Sequence, residues 1–172
     1  MKKITLYSQI IILLISCNCS NKTERYYSKN KLATDSLIWL FDDVYKSYSM
    51  RRILKSKVNG KLLIEIAIND SVPNAQIGYT FDKNLKVIYG DSDQFSNNLI
   101  KDESFKKLAS LFLKLDYYLI GQEDNYGSTF LAYCSPSDPR ATRGILYTTR
   151  PEKYRSLGKS LGEDIFIYDS FK

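Results

Sequence analysis

Val58-Asn59-Gly60-Lys61-Leu62-Leu63-Ile64-Glu65-Ile66-Ala67-Ile68 is the stretch that decides the fold class. Leu62, Ile64, Ile66 and Ile68 alternate with Leu63, Glu65 and Ala67, the period of two that places alternate side chains on opposite faces of a strand. Asn59-Gly60 tolerates positive φ at both positions and suits a two-residue hairpin turn, so Arg51 to Val58 returns as an antiparallel partner. Downstream, Ile77, Tyr79 and Phe81 alternate again. Asp82 to Asn84 supply a turn, and Leu85 to Tyr89 come back as a further strand.

Two segments carry the other period. Leu37, Leu40, Phe41, Val44 and Tyr48 recur at helical spacing behind Thr34 or Asp35, either of which can cap a first helix. Phe105, Leu108, Phe112 and Leu115 share one side of a second, about Asp102 to Leu115, with Lys106, Lys107 and Ser110 largely elsewhere. Tyr117 to Gln122, Ser128 to Cys134 and Gly144 to Thr148 read as strands. Pro151 opens a short helix through Leu157, and Glu163 to Tyr168 closes the chain as a last strand. Tight turns join antiparallel neighbours, so the expectation is an α+β fold: a curved, mainly antiparallel sheet with two main helices packed on one face.

The N-terminus has a different character. Lys2 and Lys3 precede an apolar run, Ile10 to Ile15, that is too short to span a bilayer. It ends in Leu14-Ile15-Ser16-Cys17, which resembles the lipobox of bacterial lipoproteins. The resemblance implies that residues 1–16 are a signal peptide and that Cys17 becomes the lipidated mature N-terminus, with a thioether-linked diacylglyceryl group and usually an acylated amine. Several acyl chains hold far more strongly than one. Asn18 stands where inner-membrane lipoproteins of many Gram-negative bacteria have aspartate, and Glu24 alone represents the acidic run of some surface-exported ones. The expected location is therefore the cell envelope, at the outer membrane facing the periplasm, with cell-surface display the other option. Residues 17–33, rich in Asn, Lys, Ser and Thr, read as the lipidated cysteine and a flexible tether. Residues 34–172 read as a single α+β domain.

Composition excludes several function classes. The chain has 25 Lys+Arg, 19 Asp+Glu and no histidine. Without an imidazole, Ser-His-Asp and Cys-His nucleophile activation, histidine metal ligation and histidine pH switching are unavailable within one chain. Removing Lys2 and Lys3 with the signal leaves a mild positive excess scattered along the chain, with no dense basic stripe, so nucleic acid is not an expected partner. Cys19 and Cys134 are the two thiols besides Cys17. In an oxidising envelope they would tie the tether to the domain. Alternatively, Cys134 is a small buried hydrophobe at the end of an alternating run.

Each motif with catalytic colour has a plainer reading. Ser-x-x-Lys occurs at Ser28, Ser104 and Ser156, too often to be specific, and the Ser-Asp-Asn and Lys-Thr-Gly elements of penicillin-recognising enzymes are absent. Asp91-Ser92-Asp93 with Asp102 begins like a calcium loop, but Phe95 and Ser96 replace an oxygen ligand and the turn glycine. Asp42-Asp43 and Glu163-Asp164 are pairs of the kind that cleave glycosides if they converge across a cleft. No catalytic or metal-binding residue and no cofactor is assigned. Tyrosine is frequent, and Tyr117 and Tyr126, with Arg140 and Arg143, cluster near one hairpin and its neighbouring loops as candidate binding residues, since Tyr and Arg are enriched at protein interfaces.

The expected function is a non-enzymatic, membrane-anchored envelope lipoprotein that binds another macromolecule, with a protein favoured. An immunity protein or an accessory subunit are concrete forms. The alternative is a small carboxylate-dependent hydrolase acting on peptidoglycan or polysaccharide.

Overall fold

In a computed structural model, the described residues are 23–59, 61–69, 76–90, 93–123, 128–132, 143–155 and 158–169. They form α1 (Lys31–Tyr48), β1 (Met50–Val58), β2 (Lys61–Asn69), β3 (Gln76–Asp82), β4 (Val87–Tyr89), α2 (Gln94–Leu99), α3 (Glu103–Lys114), β5 (Leu119–Glu123), β6 (Ser128–Ala132), β7 (Arg143–Thr148), β8 (Lys159–Ser160) and β9 (Ile165–Asp169). The strands make one antiparallel sheet in the order β4-β3-β2-β1-β5-β6-β7-β9-β8. The α+β class with helices on one face is what the sequence implied.

Strand register explains why the helices cover one face. Tyr79, Ile66, Ile53, Ile120, Leu131, Ile145 and Ile167 stand opposite one another on seven successive strands, forming a transverse row. All seven are buried. Leu37, Ile38, Phe41 and Val44 of α1, and Phe105, Leu108 and Phe112 of α3, join the row in one hydrophobic cluster. A register shift between Met50 and Arg52 turns Met50 into the same core despite its odd spacing from Ile53. The β1–β2 hairpin forms as the sequence implies, with Val58 opposite Lys61 and Asn59 at φ 50°.

The helices are pinned at their ends. Asp93 caps α2 by accepting from the Ser96 amide at 2.7 Å and from the Tyr79 hydroxyl at 2.6 Å. Asp102 caps α3 in the same way, accepting from the Phe105 amide at 3.0 Å and the Tyr48 hydroxyl at 2.8 Å. At the other end of α3, Lys55 reaches from β1 under the helix, where its Nζ donates to the carbonyls of Phe112 (2.9 Å) and Leu115 and lies 5.1 Å from the Phe112 ring centroid. A cation there complements the negative end of the helix.

The expected tether departs from the structure at Thr23. Residues 23–29 are helical and lead into α1 at Asn30. Thr23 and Tyr27 are buried, the Tyr26 ring meets Tyr117 edge-on at 5.5 Å, and the Tyr26 hydroxyl accepts from the Asp116 amide at 2.7 Å. Two aromatic rings in one turn bury enough apolar area to order a segment that otherwise reads as polar. For the same reason Thr34 and Asp35 are not caps. Thr34 is buried inside α1, and Asp35 pairs with Lys31 at 2.7 Å and accepts from the Tyr27 hydroxyl. Of the expected 151–157 helix, the described residues 151–155 form a single 3-10 turn, Pro151–Lys153, and residues 156–157 lie outside the described residues.

Candidate functional site

The face of the sheet opposite the described helices carries a shallow concavity of about 300 Å³ at β1–β4, lined by Arg52, Leu54, Glu65, Ala67, Gly78, Thr80 and Tyr89. It arises from two transverse rows of side chains. In the first, Arg52 stands opposite Ala67 on β2, Ala67 opposite Gly78 on β3, and Arg52 opposite Gly121 on β5. In the second, Leu54, Glu65, Thr80 and Tyr89 follow one another across four strands. The first row lacks bulk beside Arg52 and the second does not, so a trough runs between them. A Cβ added at Gly78 would meet nothing closer than the Ile66 carbonyl oxygen at 3.9 Å. The floor is therefore open by composition rather than by strain.

The walls mix chemistries. Leu54 and Tyr89 give apolar surface, and Tyr89 is 73% exposed on the edge strand beside the half-exposed Ile88. Arg52 supplies a planar cation. Glu65 is held by a hydrogen bond from the Ser56 hydroxyl at 2.5 Å, which fixes its carboxylate along the trough. Both signs of charge flank an apolar floor, a combination that matches a polypeptide surface with its own mixed groups.

The residues expected at a binding surface are distributed differently. Tyr117 is a correction: it is 1% exposed, with its hydroxyl 3.1 Å from that of Thr34 and its ring against Tyr26, so it belongs to the core and offers nothing to a partner. Arg143 opens β7, opposite Asp169 on β9. Cys17, Cys19, Tyr126, Cys134 and Arg140 lie outside the described residues, as do Asp91 and Ser92.

Other candidates have structural occupations. Phe95 stacks on Tyr79 at 5.5 Å and meets Tyr48 edge-on, while Ser96 is buried in α2, so this calcium-like spacing is spent on a helix start. Ser104 lies in the first turn of α3. Asp42 pairs with Lys46 at 2.5 Å. Burial raises the Tyr147 hydroxyl above its ordinary pKa, and the fields of Asp164 and Asp42 push the same way against that of Lys46. Among the described residues, no group of three His, Cys, Asp or Glu is placed to hold a metal ion.

Arg52, Leu54, Ala67 and Gly78 were not singled out by sequence reasoning. The available signal was the far side of the alternation at Leu63, Glu65 and Ala67, together with a glycine inside the strand that contains Tyr79. The described residues thus form a nine-stranded antiparallel sheet with a helical layer on one side and a trough on the other. No protein-family model matches the chain, and no curated protein or solved structure matches it.

Proposed function

We propose that this chain is a lipid-anchored envelope protein that works without catalysis, by binding a protein partner in the trough over Ala67 and Gly78. The single observation behind this reading is the trough itself: an apolar floor left open by a glycine, among an exposed tyrosine, the Arg52 cation and a Glu65 carboxylate held by Ser56. Its size matches one large side chain of a partner, the kind of anchor that dominates binding energy at protein interfaces. Among the described residues, Glu65 is the one carboxylate in its lining, whereas glycoside cleavage needs two facing one another. An immunity protein that occludes a toxin and an accessory subunit of a membrane complex would both use such a surface.

Gly78→Phe fills the trough from its floor without a backbone clash, so the variant should fold with an unchanged denaturation midpoint. Wild-type protein captured from detergent-solubilised native membranes should bring down a defined partner that Gly78→Phe loses and Ser36→Phe, on the helical layer, retains. Recovery of no partner by the wild type, or equal recovery by Gly78→Phe, refutes the reading.

A further inference from the structure

We infer that the outer surface of the helical layer lies flat against an anionic lipid bilayer, with Trp39 and Leu32 at the interface and the α3 lysines over the headgroups. This rests on the lipid anchor at Cys17. If Cys17 carries the lipid, only five residues separate it from Thr23, which is helical and buried in the domain. Six extended steps reach at most about 20 Å. The body therefore cannot stand away from the membrane, and one of its surfaces must face the lipid at short range.

The helical layer has the chemistry for that surface. On α1, Leu32 and Trp39 are seven residues apart on the side away from the core, 83% and 66% exposed. Tryptophan with an apolar body and a polar N–H favours the membrane–water boundary. On α3, Lys106, Lys107 and Lys114 project around Ser110, and Lys83 joins them from the β3–β4 turn. Glu103 is set against them and pairs with Lys106 at 2.7 Å. Two concavities of about 360 and 380 Å³ flank the helix, floored by Leu40 and Leu111 on one side and Leu85, Ala109 and Leu113 on the other, with the lysines at their rims.

Apolar floors under cationic rims let lysine stems cover hydrocarbon while their ammonium groups meet phosphates. On α1 the acidic residues do not oppose this strongly, because Asp35 and Asp42 are paired with Lys31 and Lys46. Asp43, exposed beside Trp39, keeps that edge from being cationic, so the attraction comes from α3. With the helices against the bilayer, the trough on the opposite side of the sheet faces away from the membrane and towards a partner.

Trp39 is the chain's one tryptophan, so its fluorescence reports this surface alone. The full lipidated protein is reconstituted on vesicles of phosphatidylcholine with and without phosphatidylglycerol. On the anionic vesicles, Trp39 emission should shift to the blue, acrylamide quenching should fall several-fold, and bromine-labelled acyl chains should quench it. Added salt should reverse these changes in part. A Lys106→Gln/Lys107→Gln/Lys114→Gln variant should lose them while still floating with the vesicles, and far-UV circular dichroism checks its fold. The single variant Lys107→Glu, at an exposed position, should weaken them if the triple variant fails to fold.

Flotation and the mass of the N-terminal peptide report the anchor separately. A protein that carries lipid and floats, yet keeps Trp39 open to acrylamide, overturns the apposition and leaves the anchor standing. A Cys17 without lipid overturns the anchor, and the apposition with it.

Discussion

Tyr117 offers the sharpest test of how this chain is built, because its two possible roles predict opposite results. Its ring is 1% exposed and meets Tyr26 edge-on, and its hydroxyl joins that of Thr34, which is itself buried inside α1. Tyr117→Phe keeps the ring and removes one buried hydrogen-bonding group, a loss of about 1 kcal/mol. Tyr117→Ala also leaves a cavity among α1, the 23–29 segment and the start of β5, at a cost of about 3–5 kcal/mol. Domains of this size have about 5–15 kcal/mol in all, so the alanine variant sits near the threshold of folding. With a urea slope of about 2 kcal/mol per M, the midpoints should fall by about 0.5 M for phenylalanine and about 2 M for alanine. Circular dichroism and the emission of Trp39, which stands against Tyr147 elsewhere on α1, should report the same transition. Unchanged midpoints for both variants, with loss of a binding partner, would refute the core placement and return Tyr117 to the surface.

Further outcomes follow from the titrating groups. The Ser96 amide and the Tyr79 hydroxyl hold Asp93 below its ordinary pKa; at Asp102, burial works in the other direction but is outweighed by the Phe105 amide and the Tyr48 hydroxyl. Below about pH 3.9, the ordinary aspartate value, the unfolded chain binds more protons than the folded one, so these caps stabilise fully above that pH and are lost as it falls through the lower folded values. Asp93→Asn/Asp102→Asn keeps capping side chains and should flatten the acid limb of a stability-versus-pH curve measured by urea denaturation. Burial lowers Lys55, with the field of Asp116 opposing it. Between its lowered value and about 10.4 the unfolded chain again holds more protons, so the stability of wild type relative to Lys55→Met should grow as pH rises through that window. A flat difference would show that Lys55 is solvated rather than tucked beneath α3.

Periodicity made the local architecture legible, and distance along the chain concealed the rest. The alternation around Ile64 and Ile66 and the helical spacing around Phe105 and Phe112 are local, so strands, hairpins and the helix-covered face could be read directly. The pairing of β1 with β5 joins Ile53 to Ile120, and no local pattern encodes it. That one long-range pairing merges two groups of strands into a single sheet. Residues 23–29 eluded the reading because their order depends on Tyr117 and Asp116, about ninety positions away. The α2 helix was hidden in what reads as a polar connection, although Asp93 caps it and Phe95 anchors it between Tyr48 and Tyr79. For the trough, Ala67 and Gly78 look unremarkable in sequence. Only the register that sets them side by side, next to Arg52, turns two small residues into a depression.

The position of β9 bears on how the chain is made. It follows β8 in sequence yet lies between β8 and β7. During synthesis, Lys159 and Ser160 emerge before their strand partner, and the outer edge of β7 stays open until residues 165–169 arrive. A chain arrested or clipped before Ile165 would present Ile145 and Leu146 on an unprotected edge, a template for association with other chains and a target for proteases. The sheet therefore checks its own completeness: the β8 end closes only once β9 has been delivered, so premature locking of an incomplete chain is disfavoured.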